Sequence, residues 1–395
     1  MFFISSQKMN SNNKNNIYII TAVLFLITAS VNIEMPLFRV YTENENFGVG
    51  MVGFAFASYI GGLLPTALLL GGLSDKIGKK KVLLIALLLS TLSVLIISIF
   101  PNLYVLFVSR ILVGCAVALS ISTGSSFLSE MFTTHKETNS SNIVALSTAL
   151  GFGSGALFTG IYLAFYTTLV PLTYWVVLTL SVILLFITTT LPESKFDTSK
   201  KMIKLPLFPK GSLKYNISVS LFWAATGVVI SIIPTQISKF DLGGWSGLSL
   251  FLINGTGAFI SPVAKRFSVR NCMTISYVLL PIGFASLTYG SIYGQLPFVL
   301  SGCSIIGIVA YGFGYFGTLK GVSELNPDEK PRVVAGYLLY GYLGFGVPSI
   351  ILGLTSEKFG IENSLISYFI FTVVVIAFLL LSHFRKTNTS RTLIN

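Results

Sequence analysis

Residues 71–81 read Gly71-Gly72-Leu73-Ser74-Asp75-Lys76-Ile77-Gly78-Lys79-Lys80-Lys81. This basic turn stands between two apolar runs, 49–70 and 82–100. A helix crosses hydrocarbon about 30 Å thick with about 20 apolar residues at 1.5 Å each. Both runs meet that length. Glycines permit a tight bend between two close helices, and lysines settle it against an anionic leaflet. The stretch therefore reads as a membrane hairpin with its turn in water.

Outward from that hairpin the pattern repeats to both ends of the chain. Spans are expected near 17–38, 49–70, 82–100, 103–128, 141–164, 170–191, 215–236, 245–264, 273–291, 296–319, 333–355 and 363–383. Of 395 residues, 53% are apolar and only 10% charged, and the mean hydropathy is +0.80. Soluble domains carry about 25% charged residues. The expected fold class is an all-α integral membrane protein with twelve transmembrane helices.

The formal charge of +12 raises the question of nucleic acid, and the placement of the charges answers it. With both termini in the cytosol, 22 of 26 Lys and Arg side chains fall on the cytoplasmic side. Arg39, Lys239 and Lys358 lie outside, and Arg110 lies within a span. That asymmetry is the positive-inside bias that orients membrane proteins. The chain is expected in the cytoplasmic (inner) membrane, multi-pass, in contact with the lipid bilayer and not with nucleic acid. Cys115, Cys272 and Cys303 show no metal or redox spacing, and His135 and His383 lie at membrane edges. No metal and no cofactor are expected.

The long polar stretch 192–214 carries six lysines and divides the chain into similar halves. The expected organisation is a disordered cytoplasmic arm (1–16), a six-helix bundle (17–191), a cytoplasmic linker (192–214), a second bundle (215–383) and a cytoplasmic tail (384–395). Internal echoes support duplication. Pro36 and Pro234 end the first and seventh spans. Leu150-Gly151-Phe152-Gly153 recurs as Leu343-Gly344-Phe345-Gly346, and the 71–79 turn has a worn copy at 261–269. One chain then contains both halves of a complete machine and is expected to work as a monomer.

In these residues the chain resembles the major facilitator superfamily, over essentially its whole length. That family's second-to-third-span loop reads G-x-L-x-D-[RK]-x-G-[RK]-[RK], matched here by Gly71, Leu73, Asp75, Lys76, Gly78, Lys79 and Lys80. The resemblance implies two pseudo-symmetric six-helix bundles and a gating role for this loop, with Asp75 facing the positive end of a helix or a cation. In the fourth span Leu106, Arg110 and Gly114 match a pattern of proton-coupled members. In the fifth, Gly151, Gly155 and Gly160 keep an exporter's close-packing glycines. Ala156 and Thr159 replace that pattern's proline and one glycine, while Pro348 appears in the matching part of span eleven.

Drug/proton exchangers of the superfamily carry an acid shortly before the proline that ends span one. Here that acid is Glu34, with Asn32 beside it. The resemblance places spans one and four along a central cavity, so Glu34 and Arg110 are expected near each other. Loss of water favours a protonated carboxyl, and a nearby guanidinium favours the ionised one. That competition suits proton/substrate coupling. The plainer reading makes Glu34 a solvated partner of Arg39. Trp223, Thr226 and Gln236 of span seven, with Tyr311 and Tyr315 of span ten, are candidate cavity residues for an amphipathic or cationic solute. Tyr and Trp also fill membrane-protein cores, and for any single one of these residues packing is the favoured reading.

The expected function is secondary active transport of a small amphipathic or cationic organic compound by alternating access. Drug-like molecules, secreted metabolites and metallophores fit that description. Proton-coupled efflux is the leading form, with proton-coupled import of a nutrient or osmolyte as the alternative. A membrane enzyme is the reading from another class. No H-E-x-x-H, G-x-S-x-G or Walker-type loop occurs to support it.

Overall fold

In hydrocarbon a backbone amide finds no partner outside the protein, so each apolar run closes its hydrogen bonds within itself as a helix. The structure, a computed structural model, describes residues 11–132, 136–193, 197, 203 and 205–391. We number the main helices in chain order. They are α1 (Ser11–Asn32), α2 (Val49–Leu70), α3 (Lys79–Ile99), α4 (Leu103–Met131), α5 (Lys136–Leu163) and α6 (Leu172–Thr188). The second set is α7 (Leu213–Ile237), α8 (Ser246–Ala264), α9 (Val269–Ile292), α10 (Leu296–Ser323), α11 (Lys330–Phe359) and α12 (Ile361–Arg391).

Eleven of the described helices are long and apolar enough to cross a membrane. The expected sixth span corresponds to α6, which has 17 residues and reaches only about 26 Å. The other eleven expected spans meet that length, and the sixth is a shorter apolar helix. The amino-terminal arm also differs, because α1 already begins at Ser11 within the stretch read as disordered. Asn13 Nδ2 donates to the Met131 carbonyl at 3.5 Å, tying that first turn to the end of α4. Extending a helix from an existing apolar segment avoids the cost of a new nucleus, which offsets the poor propensity of asparagine. Residues 1–10 lie outside the described residues, as do most of the linker lysines. At the other end α12 continues to Arg391, through most of the stretch read as a tail.

The chain forms two compact units. The first comprises Met1–Phe47, Phe54–Leu205 and Gly244–Gly255, and the second Gly48–Gly53, Pro206–Gly243 and Thr256–Asn395. Their main boundary falls inside the expected linker. The first turn of α2 counts with the second unit and the first half of α8 with the first.

Glycine sets how closely helices pack inside each unit. A Cβ on Gly151 would meet Thr28 Oγ1 at 2.0 Å and the Phe25 carbonyl at 2.4 Å. One on Gly155 would meet the Ala29 carbonyl at 2.1 Å, so α5 lies backbone against backbone with α1. Gly114 brings α4 onto α2 in the same way, 2.1 Å from the Tyr59 carbonyl. Gly160 on α5 meets Gly247 on α8, with 2.8 Å from its would-be Cβ to the Gly247 Cα. The second unit repeats the device. A Cβ on Gly344 of α11 would meet the Ser220 carbonyl of α7 at 2.3 Å, and one on Gly227 of α7 would meet the Phe345 carbonyl at 2.0 Å. The echoed Leu-Gly-Phe-Gly therefore does the same job in each half, with no room for a side chain at Gly151 or Gly344. Pro348 lies inside α11 without ending it.

Gly155→Val should destabilise the protein by about 1–3 kcal/mol through overpacking against a backbone that cannot yield. Gly61→Ala is the control, since nothing lies within 4 Å of its Cβ position. Thermal unfolding of purified protein in detergent should show a lower transition for the first variant and an unchanged one for the second.

Candidate functional site

Pro36 lacks the amide that would continue α1, and its ring opposes the carbonyl four residues back. The helix accordingly ends at Asn32 and resumes as a 3-10 turn, Met35–Leu37, followed by a short helix, Phe38–Asn44. Glu34 sits in this break, and its backbone carbonyl accepts the Leu37 amide at 2.9 Å. The Val31 carbonyl, at the frayed end of α1, accepts from Arg110 Nη1.

Glu34 and Arg110 are both fully buried, with 0% exposure. The solvated surface pair considered for Glu34 does not form; Arg39 instead bonds Glu43 at 2.6 Å. One Glu34 oxygen, Oε1, accepts from the Ser109 hydroxyl. Ser109 lies 2.9 Å from the Ser93 hydroxyl of α3, and Ser93 also donates to the Ser109 carbonyl at 2.9 Å. The Arg110 guanidinium is held between two rings, 5.3 Å from the centre of Phe38 and 5.1 Å from that of Tyr59. Such contacts stabilise a cation most where water is excluded. Among the described residues, Glu34 Oε2, Arg110 Nε and Arg110 Nη2 have no hydrogen-bond partner. The free Nε and Nη2 of Arg110 are donors of the planar fork that recognises carboxylates bidentately.

Asn32, expected in the same cluster, turns away to α5 and donates from Nδ2 to the Phe152 carbonyl at 2.7 Å. Beyond the break, the Tyr41 hydroxyl donates to the Leu169 carbonyl at 2.7 Å and lies 3.4 Å from that of Tyr174. Ser93, Ser109, Phe38 and Tyr59 carry no motif that marks them in the sequence. Their one signal is a hydroxyl or an aromatic inside an otherwise aliphatic span.

In the second unit the structure gathers Trp223, Thr226, Tyr311 and Tyr315. Trp223 on α7 lies 6.2 Å from Tyr311 and 6.0 Å from Tyr315, ring centre to ring centre. Tyr342 and Phe345 of α11 join them at 5.1 and 6.4 Å. Thr226 donates to the Trp223 carbonyl at 2.8 Å. Gln236 is not part of this group. It lies about 20 Å further along α7 and donates to the Ser291 carbonyl at 3.2 Å.

The gating-loop residues form a short helix, Leu73–Ile77, with Asp75 in its first turn. Gly78 ends it at φ 99°, a conformation that only glycine adopts at little cost. Lys79 pairs with Glu130 at the end of α4, and Lys80 with Glu193 at 3.4 Å. The Asp75 carbonyl accepts the Asp197 amide at 2.8 Å, which fastens the start of the linker to this loop.

The model of the Major Facilitator Superfamily matches residues 17–346. The chain belongs to that superfamily. It is 28% identical over 157 residues to the MFS-type transporter YfkF of Bacillus subtilis, an alignment that spans 40% of each protein. The membrane protein YoaG of the same organism is 28% identical over 110 residues, covering 26% of this chain and 81% of YoaG. Among solved structures, the nucleoside transporter NupG superposes with a TM-score of 0.78 at 16% identity, covering 94% of this chain and all of that one. A D-xylose-proton symporter gives 0.73 at 15% identity, covering 93% and 96%. At such identities the likeness is one of fold. As a superfamily member the chain is a membrane transporter and not an enzyme.

Removing one charge from the Glu34–Arg110 cluster leaves the other buried without its counter-charge. Arg110→Met should therefore destabilise the protein by about 3–5 kcal/mol. Glu34→Gln should be milder, because an amide oxygen still accepts from Ser109, and the double variant should recover part of the Arg110→Met loss. Thermal unfolding of the three proteins, treated as a double-mutant cycle, measures the coupling.

Proposed function

We propose that this transporter moves a small amphipathic organic solute across the cytoplasmic membrane by alternating access, driven by protons that bind Glu34. The observation that carries this reading is the fully buried carboxyl in the break of α1, with one oxygen on Ser109 and the other without a partner. An ionisable group at membrane depth is expensive to keep, which favours a functional role over a packing one. Arg110 stands near enough to bond the Val31 carbonyl next to the break, with two donors uncommitted. A carboxylate at Glu34 has that fork to turn to, whereas a protonated Glu34 has no need of it. Protonation thus selects between two arrangements of α1 and α4, as a coupled transporter requires.

Both termini are taken as cytoplasmic, and a single chain as the working unit. Export is the direction preferred, on the glycines shared with exporters at Gly151, Gly155 and Gly160. Import is the second reading, and Ala156 in place of the exporter proline favours it. Of the solute classes considered, a cation gains least from this site, because Glu34 faces the interior of the first unit and not an open surface.

Cells producing wild-type protein, Glu34→Gln protein or none are compared for small molecules inside and outside. A compound displaced only by the wild type names the solute and its direction. With that compound in proteoliposomes, Glu34→Gln should reduce pH-gradient-driven movement by about tenfold or more, the scale of a lost proton-transfer group. Exchange at equal pH should survive. Undiminished gradient-driven movement would refute the role of Glu34.

A further inference from the structure

Helix α10 is not regular. Ile308–Phe313 forms a π-turn, in which the Gly314 amide donates to the Val309 carbonyl, five residues back. Gly312 there has φ −105° and ψ −107°, outside helical values. This slip takes Gly314 away from the Ala310 carbonyl, its usual acceptor in an α-helix. The Trp223 indole N–H fills the vacancy and donates to Ala310 at 3.1 Å. The arrangement is braced from α8, where a Cβ on Gly257 would meet the Gly307 carbonyl at 2.5 Å. Single π-turns within α-helices recur at functional sites.

Two chemical consequences follow. Trp223 is buried, with 7% exposure, and has spent its one polar hydrogen, so it forms the wall behind Tyr311, Tyr315 and Tyr342, whose half-buried rings are what the cluster exposes. Tyr315 and Tyr342 are half-buried, and their hydroxyls have no hydrogen-bond partner among the described residues. The cluster therefore presents aromatic faces and two available hydroxyls, and no charge. Charged residues of α7, α8, α10 and α11 are confined to the ends of those helices, at Lys214, Lys320, Lys330, Arg332, Glu357 and Lys358. An ion of either sign brought to Trp223 would lose water without gaining a counter-charge.

We propose that the cluster around Trp223 binds the transported solute, and that this solute is uncharged and carries a flat unsaturated ring with hydrogen-bonding substituents. The ring stacks on aromatic faces, and Tyr315 and Tyr342 orient it through its polar edge. This rests on the transporter reading above but not on Glu34.

The test uses purified full-length protein carrying Trp175→Phe and Trp245→Phe, so that Trp223 is the sole indole reporter. Uncharged heteroaromatics (uridine, adenosine and caffeine) are titrated beside the aromatic cation tetraphenylphosphonium. At least one neutral compound should quench Trp223 emission saturably, and the cation should not. Tyr315→Phe and Tyr342→Phe keep the rings and should weaken that binding several-fold to about tenfold each, the scale of a lost hydrogen bond. Saturable quenching by the cation, or by none of the compounds, overturns the proposal, as does neutral binding unchanged in both Tyr→Phe proteins. The titration needs no proton gradient, whereas the role of Glu34 is read in gradient-driven movement. Failure of the coupling role and failure of this site are thereby told apart.

Discussion

The contact on which the first unit depends is that between the backbones of α1 and α5. Association of helices in lipid gains little from hydrophobicity and depends on close fit, for which small residues are needed. Gly151 and Gly155 supply that fit by leaving room for the carbonyls of Phe25 and Ala29. With α1 so fixed, the break at Pro36 falls at a defined depth and azimuth, and Glu34 reaches Ser109 on α4. Gly344 and Ser220 make the same contact between α11 and α7, and there α7 carries Trp223. Each half thus seats its key side chain on a helix whose position a neighbouring glycine determines.

Both sites also use a lapse in helical regularity. In the first unit a proline ends a helix early, and a carbonyl at the loosened end receives an arginine. In the second an additional residue within one turn releases a carbonyl to a tryptophan. Hydrocarbon makes an unmet carbonyl costly, so each lapse demands a specific donor from another helix. The irregularity and its partner are in that sense one unit, and neither is easily changed alone.

Membrane class and duplication were legible in the sequence because hydropathy and repeats are properties of segments. The loop at Gly71–Lys80 and the twin Leu-Gly-Phe-Gly runs could be read directly. The rotation of each helix about its axis was not legible, since it is decided by pairwise packing. Asn32 and Glu34 are two residues apart, yet one turns to α5 and the other to α4. Gln236 carries the right chemistry for a cavity but sits near the far end of α7 from Trp223. Ser109 stood beside Arg110 in the sequence without drawing notice, because serine is common in spans and hydroxyls often bond their own helix. The π-turn leaves no compositional mark at all. The end of α6 was less legible, since hydropathy runs on to Leu191 while the helix stops at Thr188.

The π-turn in α10 bears on how this chain tolerates changes in length. Losing one residue from a regular membrane helix turns everything beyond it by about 100°, which moves lipid-facing side chains into the bundle. Helix α10 carries its surplus residue within Ile308–Phe313. A one-residue deletion there would close the turn into an ordinary helix and keep both flanks in phase, at the expense of the carbonyl that Trp223 now holds. That six-residue stretch is therefore where a span of this protein can be shortened without being scrambled.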